Sequence, residues 1–397
     1  MQEMEILYIS PLISRKKLDI IHQKTNKGPG YAVQKFNRLI AKGLVYNGVA
    51  VKSLSIPPLP YSLSRAIWCN YPCEIEDGIQ YRYFPFLNIP IIKHVCIFLY
   101  AFIYVLFWGR QKHNERCLIC DVLTISACMG AVLAAKINKL LTVGIMTDMP
   151  GLMVDLNNKS FFIQLASYLN RWYLSKFRSY VFLTEQMNIV NKNNCPYIVM
   201  EGLVDSEMRV SKNNGKYEKT IIIYAGGLDE RYGLKMLVEG FMLVNIKDTE
   251  LWLYGGGPFV DKILEYYKQD SRIIYKGIQP NIEVVNAETK ATLLVNPRPT
   301  TEDFTKYSFP SKNMEYMVSG TPVLTTMLPG MPEEYNQYVY LFDRGESVKG
   351  YAEVLNHVLS LPKDELVVKG ERARQWIMEN KNNVRQTERI IRLITKK

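Results

Sequence analysis

The stretch Phe309-Pro-Ser-Lys-Asn-Met-Glu-Tyr-Met-Val-Ser-Gly-Thr-Pro-Val-Leu324 combines residue types suited to a phosphate and a diol. Ser311 sits where an N-cap belongs, and the free backbone N–H groups of a helix's first turn form a site for an anion. Glu315 follows on the same helix, and a carboxylate can accept hydrogen bonds from two hydroxyls at once. A ligand with both a phosphate and a diol is a nucleotide sugar. The unit closes with a Gly-Thr-Pro turn that enters a buried strand.

The elements that must position such a site fall into two strand-and-helix series. The first opens with a strand over 5–10, a glycine-containing loop with Gly28 and Gly30, a helix over 31–46 and a strand over 49–56, with extra length in the first loop. Gly28 and Gly30 precede the helix, where the absence of Cβ lets backbone approach a ligand; otherwise Gly-Pro-Gly is only a turn. Further buried strands read at 117–125, 141–146, 180–183 and 197–200. A polar stretch over 206–219 without apolar period reads as a connection. A second series begins with Thr220-Ile-Ile-Ile-Tyr-Ala-Gly-Gly and continues through strands at 251–254, 273–276 and 291–296. Each ends in glycine or Asn-Pro, at the carboxyl end where ligands bind in open α/β sheets. The pattern predicts an α/β fold of two Rossmann-like, doubly wound domains: 1–205, a linker over 206–219, and 220–375. A last helical stretch, 363–395, is too long for one element and should break near 380–383, with 376–397 returning to the N-terminal domain.

At 397 residues, 48% apolar and 22% charged, the chain has the composition of a globular protein with two cores. A net charge of +11 favours anionic partners, yet no nucleic-acid-reading module is present. Seven cysteines form no disulfide framework and read as free thiols; Cys117 and Cys120 lie in an apolar run without a second pair for zinc. The N-terminus reads as a strand without a basic leader, so the expected location is cytoplasmic.

Residues 89–108 are almost wholly apolar and aromatic, with Lys93 and His94 near the start and Arg110 and Lys112 just past the end. The uninterrupted part is too short to cross a bilayer, which takes roughly 20 residues. A helix in the membrane interface fits length, aromatics and basic flanks, and a buried core helix or dimer face is the alternative.

In order along the chain, the glycine-containing first loop, the Gly226-Gly227-Leu228 turn, the Gly255-Gly256-Gly257-Pro258 turn and the Pro310-Ser-Lys…Glu315-Tyr-Met…Gly320-Thr-Pro-Val unit resemble a GT-B glycosyltransferase of family 4, of the polysaccharide-assembly type. The resemblance covers nearly the whole chain and is most specific in its C-terminal half. It implies a nucleotide-sugar donor on the C-terminal domain, an acceptor entering from the N-terminal domain, and retention of the anomeric configuration. Glu315 matches the last glutamate of the family's Glu-x7-Glu signature, a ribose clamp; the first falls on Tyr307. Glu302 lies nearby at the wrong offset. The loop Ser308 to Ser311, through Pro310, presents backbone N–H groups to the diphosphate, and Lys312 adds charge.

The family's basic pair after the first strand of the C-terminal domain also departs: its arginine position is Gly227 and its lysine position Tyr232. Arg231 and Arg298 are the candidates to supply that charge, each against a reading as a solvated surface arginine. Gly226, Gly227 and Gly256 complete the donor-side loops. Asp148, directly after a buried strand where similar enzymes face their cleft, either orients or deprotonates the acceptor hydroxyl or only caps the next turn. Glu185, Glu201 and Asp205 either line that cleft or act as caps. No Asp-x-Asp occurs, so no metal or other cofactor is expected, and Arg, Lys and helix N-termini would meet the diphosphate charge.

The sequence thus predicts a retaining, metal-independent transferase using a nucleotide-diphosphate sugar. The basic charge and residues 89–108 suggest a lipid-linked saccharide acceptor, as in capsule, exopolysaccharide or O-antigen synthesis, and a peripheral position on the inner face of the cell membrane. Nucleotide-sugar 2-epimerisation and a catalytically silent GT-B subunit are the alternatives.

Overall fold

The computed structural model describes residues 4–24, 31–58, 68–89, 91–111, 115–149, 161–208 and 215–395. The candidate glycines Gly28 and Gly30 lie outside them. The chain divides into two compact units, 1–205 with 383–397, and 206–382.

The first unit contains β1 (Glu5–Ser10), α1 (Arg15–Lys24), α2 (Tyr31–Tyr46), β2 (Ala50–Ser55), β3 (Trp68–Cys69), β4 (Glu74–Glu76), β5 (Ile79–Tyr83), β6 (Phe86–Leu87), α3 (Ile92–Trp108), β7 (Arg116–Asp121), α4 (Ile125–Ile137), β8 (Leu141–Met146), α5 (Phe161–Leu174), β9 (Ser179–Phe182) and β10 (Tyr197–Val199). Its main sheet has the order β10-β9-β8-β7-β1-β2-β5-β4, with β4 antiparallel at the edge and the other neighbours parallel. β1 is buried at every position, as expected of a central parallel strand covered on both faces.

Two local features differ from the sequence-based expectation, and a third, the β4–β5 turn, has no counterpart in it. The extra length after β1 holds a helix, α1, whose polar sequence Arg-Lys-Lys-Leu-Asp-Ile-Ile-His-Gln-Lys masks its period. The strand expected over 117–125 stops at Asp121, because the Asp121 side chain accepts from Leu123 N at 3.1 Å and its carbonyl accepts from the Thr124 hydroxyl at 2.7 Å. That turn starts α4. Asp77 and Gly78, both at positive φ, turn β4 into β5.

The second unit contains β11 (Thr220–Ala225), α6 (Leu234–Met242), β12 (Thr249–Tyr254), α7 (Val260–Gln269), β13 (Ile273–Gly277), α8 (Asn281–Lys290), β14 (Leu293–Asn296), α9 (Ser311–Ser319), β15 (Val323–Thr325), β16 (Tyr340–Leu341), α10 (Val348–Leu359) and α11 (Lys363–Asn380). Its all-parallel sheet has the order β13-β12-β11-β14-β15-β16, doubly wound about β11. The core joins Ile222, Leu251, Leu253, Leu293 and Val295 from the strands to Leu237, Phe241, Tyr351 and Leu355 from the helices. The C-terminal helical stretch breaks between Asn380 and Asn383, and the last helix, α12 (Asn383–Thr395), packs on α2 in the first unit.

α3 is buried on one face, through Ile97, Ala101, Val105 and Trp108, and exposed on the other. It packs on α4 so closely that a Cβ on Gly130 would lie 2.2 Å from the Phe98 carbonyl oxygen. Among the described residues, no helix is long and apolar enough to cross a membrane.

Candidate active site

The carboxyl ends of β11, β12 and β14 converge on loops with almost no side chain. Gly226 N donates to Tyr254 O at 2.9 Å, Leu228 N to Gly256 O at 3.0 Å, and Phe259 N to Leu228 O at 2.9 Å. This backbone-on-backbone packing requires glycine: at Gly255, with φ +125°, a Cβ would sit 1.9 Å from Gly226 O. The turn after β11 is thereby held against the turn after β12, and a Cβ on Gly256 would meet the Ile278 side chain at 3.0 Å and one on Gly227 the Tyr232 ring at 3.1 Å.

Helix α9 is docked onto the same strand ends by its buried face. Tyr316 accepts from Ala225 N at 2.8 Å through its hydroxyl, and Asn313, wholly buried, accepts from the Asn296 amide at 2.7 Å and donates to Thr325 Oγ1 at 3.1 Å. Asn296 ends β14 and Thr325 ends β15, so one side chain ties the helix start to two strands. The structure begins α9 at Ser311 and puts Pro310 at the cap position, with no side-chain cap bond. The expectation of Ser311 as N-cap is corrected by one position: its hydroxyl is not the cap, and the cap residue, Pro310, offers no side chain to the first-turn N–H groups. Ser311 and Glu315, four residues apart and both exposed, share the helix's open face. In the preceding loop the Ser308 hydroxyl oxygen is buried and has no hydrogen-bond partner among the described residues.

Lys312 leaves the same turn toward β11. Its ammonium donates to Ala225 O and stands 5.7 Å from the Tyr224 ring centroid. Gly226 makes this possible, because a Cβ there would lie 2.0 Å from Lys312 Nζ. Burial lowers the Lys312 pKa. Arg298, just past β14, lies with its guanidinium 5.0 Å from the Tyr232 ring centroid, and burial lowers its pKa too. The two cations are near enough to act on each other electrostatically. Two half-buried positive charges beside open helix N–H groups form a site for an anion.

Arg231 is placed differently. Its side chain is 69% exposed and its guanidinium is held by Asp229 at 2.8 Å. Glu302 acts on Arg231 electrostatically from the following loop. Gly226, Gly227, Gly256, Arg298, Ser308, Pro310, Ser311, Lys312 and Glu315 thus gather around the strand ends of one sheet, with Arg231 at the exposed edge. Asn313, Tyr316 and Tyr232 join them; Asn296 and Asn313, polar residues inside apolar segments, are the signal that marks this docking in the sequence.

In the first unit Asp148 follows β8, half-buried, and its carboxylate accepts from Met149 N at 2.8 Å. Glu185 accepts from the Tyr197 hydroxyl at 2.5 Å, Glu201 is buried, and Asp205 pairs with Lys42 at 3.7 Å. Among the described residues no cluster of three His, Cys, Asp or Glu side chains is spaced to hold a metal ion.

Residues 219–360, which contain this assembly, match the family model of Glycosyl transferases group 1. Solved structures share the fold along the whole chain. Sucrose-phosphate synthase from Thermosynechococcus elongatus aligns with TM-score 0.64 and 12% identity over 98% of both chains. HepE from Anabaena, in complex with UDP and glucose, aligns with TM-score 0.60 and 12% identity over 100% of both. The lipopolysaccharide outer core galactosyltransferase WaaB aligns with TM-score 0.60 and 14% identity over 98% of this chain and 99% of that one. No curated protein sequence matches. With a GT-B fold over its length and a glycosyl transferases group 1 domain at residues 219–360, the chain is a glycosyltransferase.

Proposed function

We propose that the protein moves a sugar, with retention of configuration, from a nucleotide-diphosphate sugar to a hydroxyl of a lipid-linked saccharide in capsule, exopolysaccharide or O-antigen synthesis. The observation that carries this reading is the gathering of Lys312, Arg298 and the open start of α9 around glycine turns, with Glu315 one helical turn along. Glu315 accepts from the ribose hydroxyls, the loop 308–311 holds the diphosphate, and Lys312 and Arg298 oppose its charge. As the glycosidic bond to the leaving phosphate lengthens, negative charge grows on the nucleotide diphosphate. Fixed cations and N–H dipoles there act on the transition state more than on the ground state. No metal is required for that step. Asp148 orients the acceptor hydroxyl or takes its proton. Arg231 adds a phosphate contact by exchanging Asp229 for the ligand. The protein works on the inner face of the cell membrane, held there through residues 89–108. The acceptor-side glycines Gly28 and Gly30 let backbone approach the acceptor.

The test is nucleotide release by the purified protein across UDP- and GDP-sugars, with and without a membrane extract containing lipid-linked saccharides, and with EDTA throughout. Extract-dependent release of one nucleotide, lost in Glu315→Ala, is the expected result. Donor binding without turnover in any extract would replace the reading with a silent subunit, and acceptor-free conversion of the sugar would replace it with epimerisation.

A further inference from the structure

The exposed face of α3 carries Val95, Leu99, Ile103 and Phe107 at every fourth residue, each at least half exposed, and Ile91, 81% exposed, extends the row. At about 1.5 Å per residue the row runs for roughly 24 Å along one side of the helix. A patch of this size on a water-soluble surface marks an interaction site. The chain from Phe84 to Asn114 and from Val122 to Thr147 contains no Asp or Glu, while exposed His94, Arg110, Lys136 and Lys139 lie on or beside α3 and the α4 helix behind it. That combination fits an anionic, partly apolar surface.

Beside the row lies a groove of about 760 Å³ between α3 and strands β4 and β5. Ile103 and Phe107 line it and also belong to the row, so the two surfaces are continuous. Tyr100 and Tyr104, stacked at 6.0 Å between centroids, also line the groove, and Arg82 holds its guanidinium 5.4 Å from the Tyr104 ring. The groove's charges are engaged: Lys52 with Glu5 at 2.9 Å, Glu74 with the Ser14 hydroxyl at 2.6 Å and the Tyr83 hydroxyl, and Arg82 with the Tyr100 hydroxyl. Arg82 is exposed.

We infer that α3 lies in the interface of a bilayer and that the groove takes the phosphate-bearing headgroup of an anionic phospholipid on Arg82. This rests on the membrane attachment proposed above and adds to it the lipid class and the residue that selects it. A guanidinium fork matches a phosphate in two hydrogen bonds, and the stacked tyrosines hold that fork at the headgroup level, where amphipathic aromatic rings reside. Ile103 and Phe107 meet the first methylenes of the same lipid.

Flotation of the full chain on phosphatidylcholine vesicles, with and without phosphatidylglycerol, tests this, using Arg82→Gln, Arg110→Gln and Leu99→Glu. The wild type should float better with phosphatidylglycerol. Arg82→Gln should lose that advantage by about fivefold or more, the weight of one basic residue at an anionic surface. Arg110→Gln, outside the groove, should lose less, Leu99→Glu should lose flotation on both vesicles, and all three should bind donor like the wild type. Equal losses in Arg82→Gln and Arg110→Gln, or none, would overturn the headgroup site while leaving the docking face. Failure of the wild type to float on either vesicle would overturn both, and neither result bears on donor turnover.

Discussion

Glu315 and Lys312 lie in one helical turn but meet opposite surroundings. Glu315 is exposed on the helix's open face; Lys312 is drawn down onto a strand-end carbonyl, in space that exists because residue 226 has no side chain. Glu315→Gln removes a charged acceptor, and hydrogen bonds to charged groups are worth about 1.5–3 kcal/mol, so the donor KM should rise roughly ten- to hundredfold while the melting temperature holds. Gly226→Ala should do the reverse of a folding defect: φ at 226 is not in the left-handed region, and the added methyl meets the movable end of Lys312. Its expected signature is at least a tenfold fall in kcat/KM, read from nucleotide release, with circular dichroism unchanged. The pH dependence follows from the Lys312 pKa, which burial lowers. Below that pKa the ammonium opposes the diphosphate; as pH rises through it, below the ordinary lysine range, the charge is lost and donor binding falls. Lys312→Arg, whose guanidinium stays charged, should move that fall to higher pH, as followed by titration calorimetry across pH.

At the scale of elements, the site depends on two turns that touch through their backbones. Gly255→Ala combines a positive φ with a Cβ 1.9 Å from a carbonyl oxygen and should cost about 3 kcal/mol, whereas Gly256→Ala meets only the end of the Ile278 side chain at 3.0 Å and should cost under about 1 kcal/mol. Urea unfolding of both variants checks the difference. These strands and their glycine ends were legible because buried parallel strands read as continuous apolar runs, and because Gly after such a run marks a ligand-binding edge. The start of α9 was legible to within one residue. Helix α4 was not, since Ile-Ser-Ala-Cys-Met-Gly-Ala-Val-Leu-Ala-Ala-Lys-Ile is apolar on all sides and shows no period. Tertiary contacts, not spacing, put Arg298 over Tyr232 and left Arg231 with Asp229, and Asn313's two bonds join residues 17 and 12 positions away. No local pattern records such pairings.

Across the whole molecule, the chain builds one unit, then the other, and returns to the first. Helix α12 closes that return: Asn47 donates to Val384 O at 2.9 Å, Gln386 to Gly202 O at 3.1 Å, and Ile390 is fully buried. Deleting residues 383–397 should therefore expose the α2 face of the first unit and make it the first target of limited proteolysis, while fragments of 215–382 persist. The proposed donor site lies wholly within the second unit. Hydrogen–deuterium exchange of the full-length protein with and without the nucleotide diphosphate of its donor tests that assignment most directly. The account predicts slowed exchange at 226–233, 255–258 and 308–315, abolished by Glu315→Ala, with the strands of the first unit unchanged. Protection centred on the first unit, or none at these three loops despite saturating nucleotide, would contradict it.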